Sequence, residues 1–406
     1  MALSPAGRVA FVGVNARGDE RILVTDSTGS PLHEIKIGLP TDLTLDAGHP
    51  RKGSLNPRPE VRQLALDSAS ETLAVGIRPW RSKFNGHPLP GRLEVWKLGT
   101  GEVRSFKLTH AIPEDGLERP LEDIGLLRYS PDGRYLFQGF RVRDGAVGGR
   151  AIIRDARTLA ELSRYVWHLS TLTGVSWSPA GLVTSSLDGT AAAWPKEGGI
   201  LAPSRAYDQP RESPDKPSRS LVPSLGSPPH ADPSHFQRGF KRGVPGAAER
   251  SAQGLWAIDG GPWSWEGKSR SVVLAGTGQG ELILWDRETG ATLSRWEAHS
   301  EGKVVACRLL QDGLILSVAK EAKLWIQFNG QFYQLSQTRL GRAGADVLSV
   351  DIADGKVAAL TIAGGLREIV LVDLDLPPLH GFADNPKDAI RPHLRDWVKS
   401  AKSRGR

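Results

Sequence analysis

The chain has 406 residues, a net charge of +7 and one cysteine, with 24% charged and 39% hydrophobic residues. One cysteine excludes an intrachain disulfide. The sequence has neither a run of about 18 apolar residues that would span a bilayer nor the basic and apolar segments of a signal peptide. We therefore expect a globular, cytoplasmic protein with no transmembrane segment.

Short β-rich runs bounded by turn residues occur along most of the chain, for example at 8–14, 72–77 and 304–307. Glycines stand just before several of these runs, where a tight turn needs positive φ: Gly7, Gly133, Gly181 and Gly313. Upstream of residue 385 almost nothing repeats at helical spacing. The pattern predicts an all-β fold.

One short pattern recurs along the chain and ends in tryptophan. A polar tight turn and an alternating strand close on Trp194, and similar segments close on Trp285 and Trp325. A Ser-Pro-x-Gly turn precedes a strand at 130–133 and again at 178–181. Turn, strand, turn and Trp-ended strand make up most of one four-stranded blade of a propeller, so repetition decides the fold.

Aligning every segment on the tryptophan position indicates seven blades. The aligned residues are Thr25, Trp96, Arg154, Trp194, Trp285, Trp325 and Val372. Two of the six spacings equal 40 residues, close to the roughly 40–45 residue period of WD40 blades. The chain resembles a degenerate WD40-repeat β-propeller over about residues 1–380, followed by a basic tail at 381–406.

The resemblance implies a structural tetrad in blade four. His168, Ser186, Asp188 and Trp194 stand where that family places four side chains that hydrogen-bond within a blade. Blade six offers His299, Ser317 and Trp325, with Glu321 near the aspartate position. Although His, Ser and Asp superficially resemble a hydrolytic triad, we expect them to be structural, because buried polar groups need such partners.

Four enlarged loops belong to blades one to three. Residues 39–60 and 111–123 fall between blades, whereas 79–90 and 142–149 fall between second and third strands, and in WD40-like propellers these two classes lie on one face. In or beside these loops are five arginines and aromatics: Trp80, Arg81, Phe84, Arg141 and Arg143. They are either a protein-binding site, since binding hot spots are enriched in such residues, or ordinary surface residues.

A Pro- and Ser-rich insert occupies residues 201–253, with nine prolines and a net charge of +3. This composition predicts disorder, because too little apolar surface is present to offset ordering. Phe236, Arg238, Phe240, Lys241 and Arg242 form its one mixture of aromatics and cations. That patch either contacts a protein or nucleic acid or folds back on the propeller.

A short basic helix is predicted near the C-terminus, beginning at 389 or 390. Ile390, Leu394 and Trp397 share one face of it, and Arg391, Arg395 and Lys399 are among the cations of a segment, 387–406, with a net charge of +5. The helix either packs on the propeller or touches an anionic membrane, a partner groove or RNA.

The beginning of the chain predicts an incomplete first blade. Only three residues precede Ser4-Pro5, which leaves little room for an inner strand before the first turn. Residues 374–383 could supply a strand to close the ring, or the chain could be one module of a longer protein.

Motifs of catalysis are absent from the sequence. It contains no His-Glu-x-x-His, Cys-x-x-Cys or Gly-x-Ser-x-Gly, and the glycine-rich 276–280 reads as a turn between strands. We therefore expect no catalytic, cofactor or metal site. The function predicted is a protein–protein interaction scaffold, with an RNA- or ribonucleoprotein-associated factor that uses the insert and tail as the alternative.

Overall fold

The computed structural model describes the strands and most turns of the chain. The described residues are 1–14, 20–38, 60–78, 80–81, 88–89, 91–107, 123–141, 149–168, 170–178, 181–194, 205–208, 254–265, 268–310, 313–328, 330–353, 356–364 and 366–374. Among them no helix is long and apolar enough to cross a membrane. The helix expected at the C-terminus lies outside them.

Seven antiparallel sheets, taken in chain order, are the blades of an all-β, seven-bladed propeller. The strands of each blade are named a to d in chain order. The chain divides into two compact units, Met1–Val166 with Ser170–Leu172 and Trp167–Leu169 with Thr173–Arg406.

The first unit contains blades one to three, apart from Trp167 and His168, which belong to the second. Blade one is β1 (Ala2–Leu3), β2 (Val9–Val14), β3 (Glu20–Thr25) and β4 (Pro31–Lys36). Blade two is β5 (Val61–Leu66), β6 (Thr72–Ile77), β9 (Arg92–Lys97) and β10 (Glu102–Lys107), with the small hairpin β7 (Trp80–Arg81) and β8 (Pro88–Leu89) between β6 and β9. Blade three is β11 (Asp123–Tyr129), β12 (Tyr135–Arg141), β13 (Gly149–Asp155) and β14 (Glu161–His168).

The second unit contains blades four to seven, apart from the residues of β15 assigned to the first. Blade four is β15 (Leu172–Ser178), β16 (Gly181–Ser186), β17 (Thr190–Trp194) and β18 (Arg205–Asp208). Blade five is β19 (Leu255–Trp265), β20 (Lys268–Thr277), β21 (Glu281–Asp286) and β22 (Thr292–Glu297). Blade six is β23 (Ala306–Leu309), β24 (Leu314–Val318), β25 (Glu321–Phe328) and β26 (Gln331–Arg339), and blade seven is β27 (Asp346–Ala353), β28 (Lys356–Ala363) and β29 (Leu366–Asp373).

All seven positions aligned on tryptophan lie on strand c of a blade, which confirms the blade count. The inner strand of blade one is as short as the sequence predicts, because β1 pairs with β2 through Ala2 and Leu3 alone. One correction concerns the insert. Residues Arg205–Asp208, expected to be disordered, pair with Thr190–Ala193 as strand d of blade four. A four-residue strand can form there because a buried strand already offers its edge.

Within each unit the hydrophobic core is divided into layers between consecutive blades. One layer joins Ile22 and Val24 of blade one to Leu73 and Val75 of blade two, and all four are fully buried. Comparable layers join blades two and three in the first unit, and four with five, five with six and six with seven in the second. Because successive side chains of a strand point to opposite faces, the middle strands of a blade contribute residues to both neighbouring layers. Cys307 lies in one of these layers, as the sequence predicts.

The Ser-Pro-x-Gly segment at 130–133 is the turn that joins strands a and b of blade three. In blade three the Ser130 hydroxyl accepts a hydrogen bond from the Tyr135 N–H at 2.9 Å and donates to Asp132 at 2.6 Å. Gly133 has a φ of 68°, a conformation that side-chain-bearing residues rarely adopt. The motif therefore fixes the turn at one end of the blade and leaves the opposite end to the longer loops.

Candidate functional site

The candidate site is the end of blades two and three from which the long loops leave. In blade two the small hairpin continues the direction of β6 and β9, with Trp80 paired to Leu89 and Arg81 to Pro88. This pairing places the backbone of Trp80 and Arg81 beyond the end of the blade. Loop residues on such a scaffold are where binding functions are usually found.

Arg141 occupies the matching end of blade three. It is exposed, is the last residue of β12 and pairs with Asp123, the first residue of β11. The loop between strands b and c and the connection from blade two therefore both leave from this end, as the sequence predicts. A Cβ at Gly125 would lie 2.5 Å from the Arg141 Cγ, so the arginine stem lies directly over that glycine.

Charged side chains fix the bases of the loops at the same end of blade two. Glu60 lies 2.9 Å from Arg62 and 3.0 Å from Arg78, and the Arg78 N–H donates to the Glu60 carbonyl at 2.9 Å. Glu20 of blade one accepts a hydrogen bond from the Val61 N–H at 2.8 Å. The chain is thus held in position as it enters β5 and leaves β6.

A buried arginine anchors a further loop. Arg92 donates from Nε to Glu94 at 2.6 Å and from Nη2 to the carbonyl of Gly38, the last described residue before the 39–59 loop. The Trp96 indole N–H donates to the same Glu94 carboxylate at 3.0 Å. Sequence reasoning missed Glu60, Arg78 and Arg92; the signal available was a charged residue at the first or last position of a β-rich run.

The remaining residues of the predicted site fall wholly or partly outside the described part of the chain. Phe84 and Arg143 lie outside the described residues, and for Trp80 and Arg81 only the backbone is described. The predicted cations of the appendages also lie outside them: Arg238, Lys241, Arg242, Arg391, Arg395 and Lys399.

The four residues of the expected tetrad in blade four lie close together. Two further residues, Thr184 and Thr190, complete the hydrogen-bond network that joins them. The Trp194 indole N–H donates to the Thr184 hydroxyl at 2.8 Å, which lies 2.7 Å from His168 Nε2. His168 Nδ1 lies 2.9 Å from the Thr190 hydroxyl, which donates to Asp188 at 2.6 Å. Every step is satisfied when His168 is neutral and carries its proton on Nδ1.

Thr184, not Ser186, therefore links the histidine to the tryptophan. The Ser186 hydroxyl accepts a hydrogen bond from the Asp188 N–H at 3.3 Å. In blade six, Ser317 takes the linking position as expected, 2.9 Å from His299 Nε2 and 2.8 Å from the Trp325 indole nitrogen.

Strand register explains this difference between the two blades. Trp194 pairs with Leu182 and Trp325 with Ile315, so each linking hydroxyl lies two residues after the partner of the tryptophan. The hairpin formed by strands b and c is longer in blade four than in blade six. Counting the same number of residues back from the tryptophan therefore selects Ser186 in place of Thr184.

The same register rule holds in blade three with different residues. Arg154 occupies the tryptophan position and pairs with Leu136, and two residues later Gln138 accepts a hydrogen bond from Arg154 Nε at 2.8 Å. Arg154 also donates to the Leu159 carbonyl at 2.9 Å and lies 4.1 Å from the centre of the Phe106 ring. An arginine thus replaces the tryptophan, and its buried guanidinium is hydrogen-bonded and lies over an aromatic ring.

A second polar group lies on the inner strands of blades four to seven. Asp259 of blade five accepts hydrogen bonds from the Ser176 hydroxyl of blade four, from Arg308 Nη1 at 3.1 Å and from the Leu309 N–H at 2.8 Å. Asp259, Arg308 and Asp351 hold equivalent positions on the inner strands of blades five, six and seven. Each is aligned across its sheet with the strand c residue that comes one before the tryptophan position. Sequence reasoning did not find this cluster; its signal is a polar residue at one rung of successive inner strands.

Burial sets the protonation of these groups. It lowers the pKa of His168 from 6.5 to about 4, although the Asp188 carboxylate opposes the shift. Burial and the nearby Lys323 cation lower the pKa of His299 to about 4. Burial alone would lower the pKa of Arg308, but the carboxylates of Asp259 and Asp351 outweigh it and raise that pKa. Both histidines are therefore neutral and Arg308 is charged at pH 7.

The polar clusters are arranged for structure. His168 is 2% exposed, with both ring nitrogens hydrogen-bonded to threonine hydroxyls of blade four, so no substrate atom reaches it. Among the described residues no group of three or more His, Cys, Asp or Glu side chains could hold a metal ion. The loop-bearing end of blades two and three is the part of the described chain that best fits a binding role.

One of the comparisons with known proteins bears on the fold. No family model and no curated protein matches the chain. A chain of the solved crystal structure of a mitotic checkpoint complex is similar over 91% of this chain and 86% of its own length, with a TM-score of 0.56 and 13% identity. At that identity the likeness shows the fold alone, and the fold is a β-propeller.

Proposed function

We propose that the protein is a non-catalytic scaffold that binds another protein through the loop-bearing end of blades two and three, called the rim below. One observation carries the proposal. Two classes of enlarged loop leave from this end, and their bases are fixed by Glu60, Arg78 and Arg92. Fixing the loop bases before binding lowers the entropy cost of association.

Trp80 and Arg81 are the anchors of this surface. Their backbones lie on a paired hairpin beyond the end of blade two, and Arg141 lies exposed at the same end of blade three. Tryptophan and arginine dominate binding hot spots because they combine large apolar area with directional hydrogen bonds. Phe84 and Arg143 belong to the same two loops and would extend the surface.

The scaffold is of the WD40 type in this proposal. Histidine, a hydroxyl residue and tryptophan form the same hydrogen-bonded chain in blades four and six, as the sequence resemblance implies. The similar solved chain is part of a mitotic checkpoint complex. By analogy with that general role, we propose that this chain is a subunit of a multiprotein assembly.

Affinity capture with the full chain tests the proposal. The Trp80→Ala, Arg81→Ala double variant should lose its principal protein partner and keep its melting temperature, because it truncates loop residues. The matched control is Lys97→Ala with Arg134→Ala, two exposed cations at the opposite end of blades two and three.

The control should retain the partner. Equal retention by both variants would contradict the rim proposal, and loss of capture after nuclease treatment would favour the ribonucleoprotein alternative.

A further inference from the structure

Strand d contains the same bulge in blades one, five and six. In each of these blades an extra residue stands between the two that pair with the tryptophan position and with the residue before it. This extra residue is a leucine: Leu32, Leu293 and Leu335. A bulge bends the strand and re-aims the side chain of the added residue. The three blades therefore present a leucine at one equivalent place on their outer strand.

This leucine is covered in two of the blades and exposed in the third. Leu293 packs against the core layer between blades five and six. Leu335 packs against a buried apolar cluster of blade six. Leu32, in contrast, is 42% exposed. Blade one thus leaves in contact with water an apolar side chain that the second unit covers with its own residues.

Leu32 lines an open groove between blades one and two, called the side groove below. The side groove has a volume of about 340 Å³ and is lined by residues of β4, of β9 and of the turn after β9. Ile35 and Leu98 are buried residues of its lining, and Trp96 is half-buried there. A concave surface with apolar and aromatic walls is typical of a binding site. The side groove is large enough to receive an apolar side chain.

The charges that line the side groove are mainly positive. Lys36 and Lys97 are exposed and form no ion pair among the described residues. Glu34 is the one acidic residue of the described lining, and it is paired with Arg21. The two lysine charges are therefore uncompensated and favour an acidic partner.

The backbone of β4 also favours an extended peptide as the occupant. β4 is the outer strand of blade one, and within the described sheet it pairs with β3 on one edge alone. An extended peptide adds to such an edge through main-chain hydrogen bonds, while its alternate side chains enter neighbouring pockets. The side groove lies beside this edge, since residues of β4 line it.

We propose that the side groove binds an extended acidic peptide of a second partner protein. An apolar side chain of the peptide lies against Leu32 and Trp96, and its carboxylates meet Lys36 and Lys97. The peptide backbone runs along the unpaired edge of β4. This site is separate from the rim and takes a different partner.

Selection of short random peptides displayed on phage, with the full chain as the bait, tests the proposal. The selected sequences should carry an apolar residue flanked by aspartate or glutamate. Leu32→Asp should weaken the affinity for a selected peptide about tenfold or more, because it replaces an apolar contact with a repelling charge. Lys36→Glu should weaken it severalfold, and added salt should weaken it in the wild type.

A matched control is available on another outer strand. Leu162 belongs to strand d of blade three and is 47% exposed, so Leu162→Asp makes the same change at a similar depth. This variant should bind the peptide as the wild type does. Because the substituted side chains are exposed, all three variants should keep the wild-type melting temperature.

Hydrogen–deuterium exchange locates the bound peptide. Exchange should slow at 32–36 and 96–101, and the Trp80→Ala, Arg81→Ala variant should bind the peptide normally, so the side groove and the rim are tested separately. Three results would overturn the proposal. They are a selection that enriches no acidic and apolar sequence, equal binding by Leu32→Asp and Leu162→Asp, and protection confined to other segments.

Discussion

The rim of the first unit and the inner strands of the second use similar side chains at different depths. At the rim, the side chains of Glu60 and Arg78 are 43% and 40% exposed, although they pair at 3.0 Å. On the inner strands, those of Asp259 and Arg308 are 9% and 24% exposed at 3.1 Å. Water screens the first pair, so its net contribution to stability is small, whereas losing one partner of the second leaves a poorly solvated charge. Depth therefore assigns the second pair to stability, whereas the first pair lies on the rim for which we propose a recognition role.

The largest effect is expected at Asp259. Asp259→Ala removes the acceptor of Ser176, Arg308 and the Leu309 N–H together, and should lower the free energy of unfolding by about 3 kcal/mol. Denaturant unfolding of the variant and the wild type measures the difference. The control is Glu301→Ala, which breaks an exposed pair with Lys320 at 3.2 Å. If both variants unfolded at similar denaturant concentrations, the burial of an ion pair would not determine its contribution to stability.

Acid should weaken the second unit through its buried histidines. Folding lowers the pKa of His168 from 6.5 to about 4, so the unfolded chain binds a proton more tightly. The stabilisation is therefore complete above pH 6.5 and is lost as the pH falls towards 4, by roughly 3 kcal/mol for this histidine. His299, with a pKa lowered to about 4, adds a loss of the same sign.

Unfolding measured between pH 7 and 4 in the wild type and in His168→Gln checks this prediction. The variant should show a shallower fall over that interval. Parallel curves would mean that His168 is not held neutral in the folded blade.

A smaller effect separates the two hydroxyls of blade four. Thr184→Val leaves the Trp194 N–H and His168 Nε2 without their shared partner and should cost about 1–3 kcal/mol. Ser186→Ala removes a long hydrogen bond from one backbone N–H and should cost about 0.5 kcal/mol. Thermal melting of both variants gives the order, and a larger loss at Ser186 would refute the register rule.

The fold can be predicted well from the sequence because the same strand pattern recurs in seven blades, so a degenerate copy is recognised from its neighbours. It located all seven third strands, including those whose tryptophan is replaced by Thr25, Arg154 and Val372. It did not find Thr184, because a side chain's partner depends on strand register, and register depends on hairpin length. Sequence reasoning did not find Asp259 and Arg308 for a related reason. Their contact joins two different blades, and no local spacing in the sequence encodes it.

The candidate site was predictable only in part. Loop length and the Arg and aromatic content predicted a site on the enlarged loops of blades one to three. The structure places Arg141 and the backbones of Trp80 and Arg81 at one end of blades two and three. The residues that hold the loop bases, Glu60 and Arg92, pair with groups distant in sequence. Spacing within one strand does not reveal such pairs.

Hydrogen–deuterium exchange of the full chain, alone and bound to its captured partner, tests the central claim most directly. If the rim is the binding surface, binding should slow exchange at 60–66, 77–81 and 123–126, where the loops of blades two and three are rooted. Exchange at 254–265 and 306–309, which carry Asp259 and Arg308, should not change. Protection confined to the second unit, or to the opposite end of blades two and three, would contradict the account.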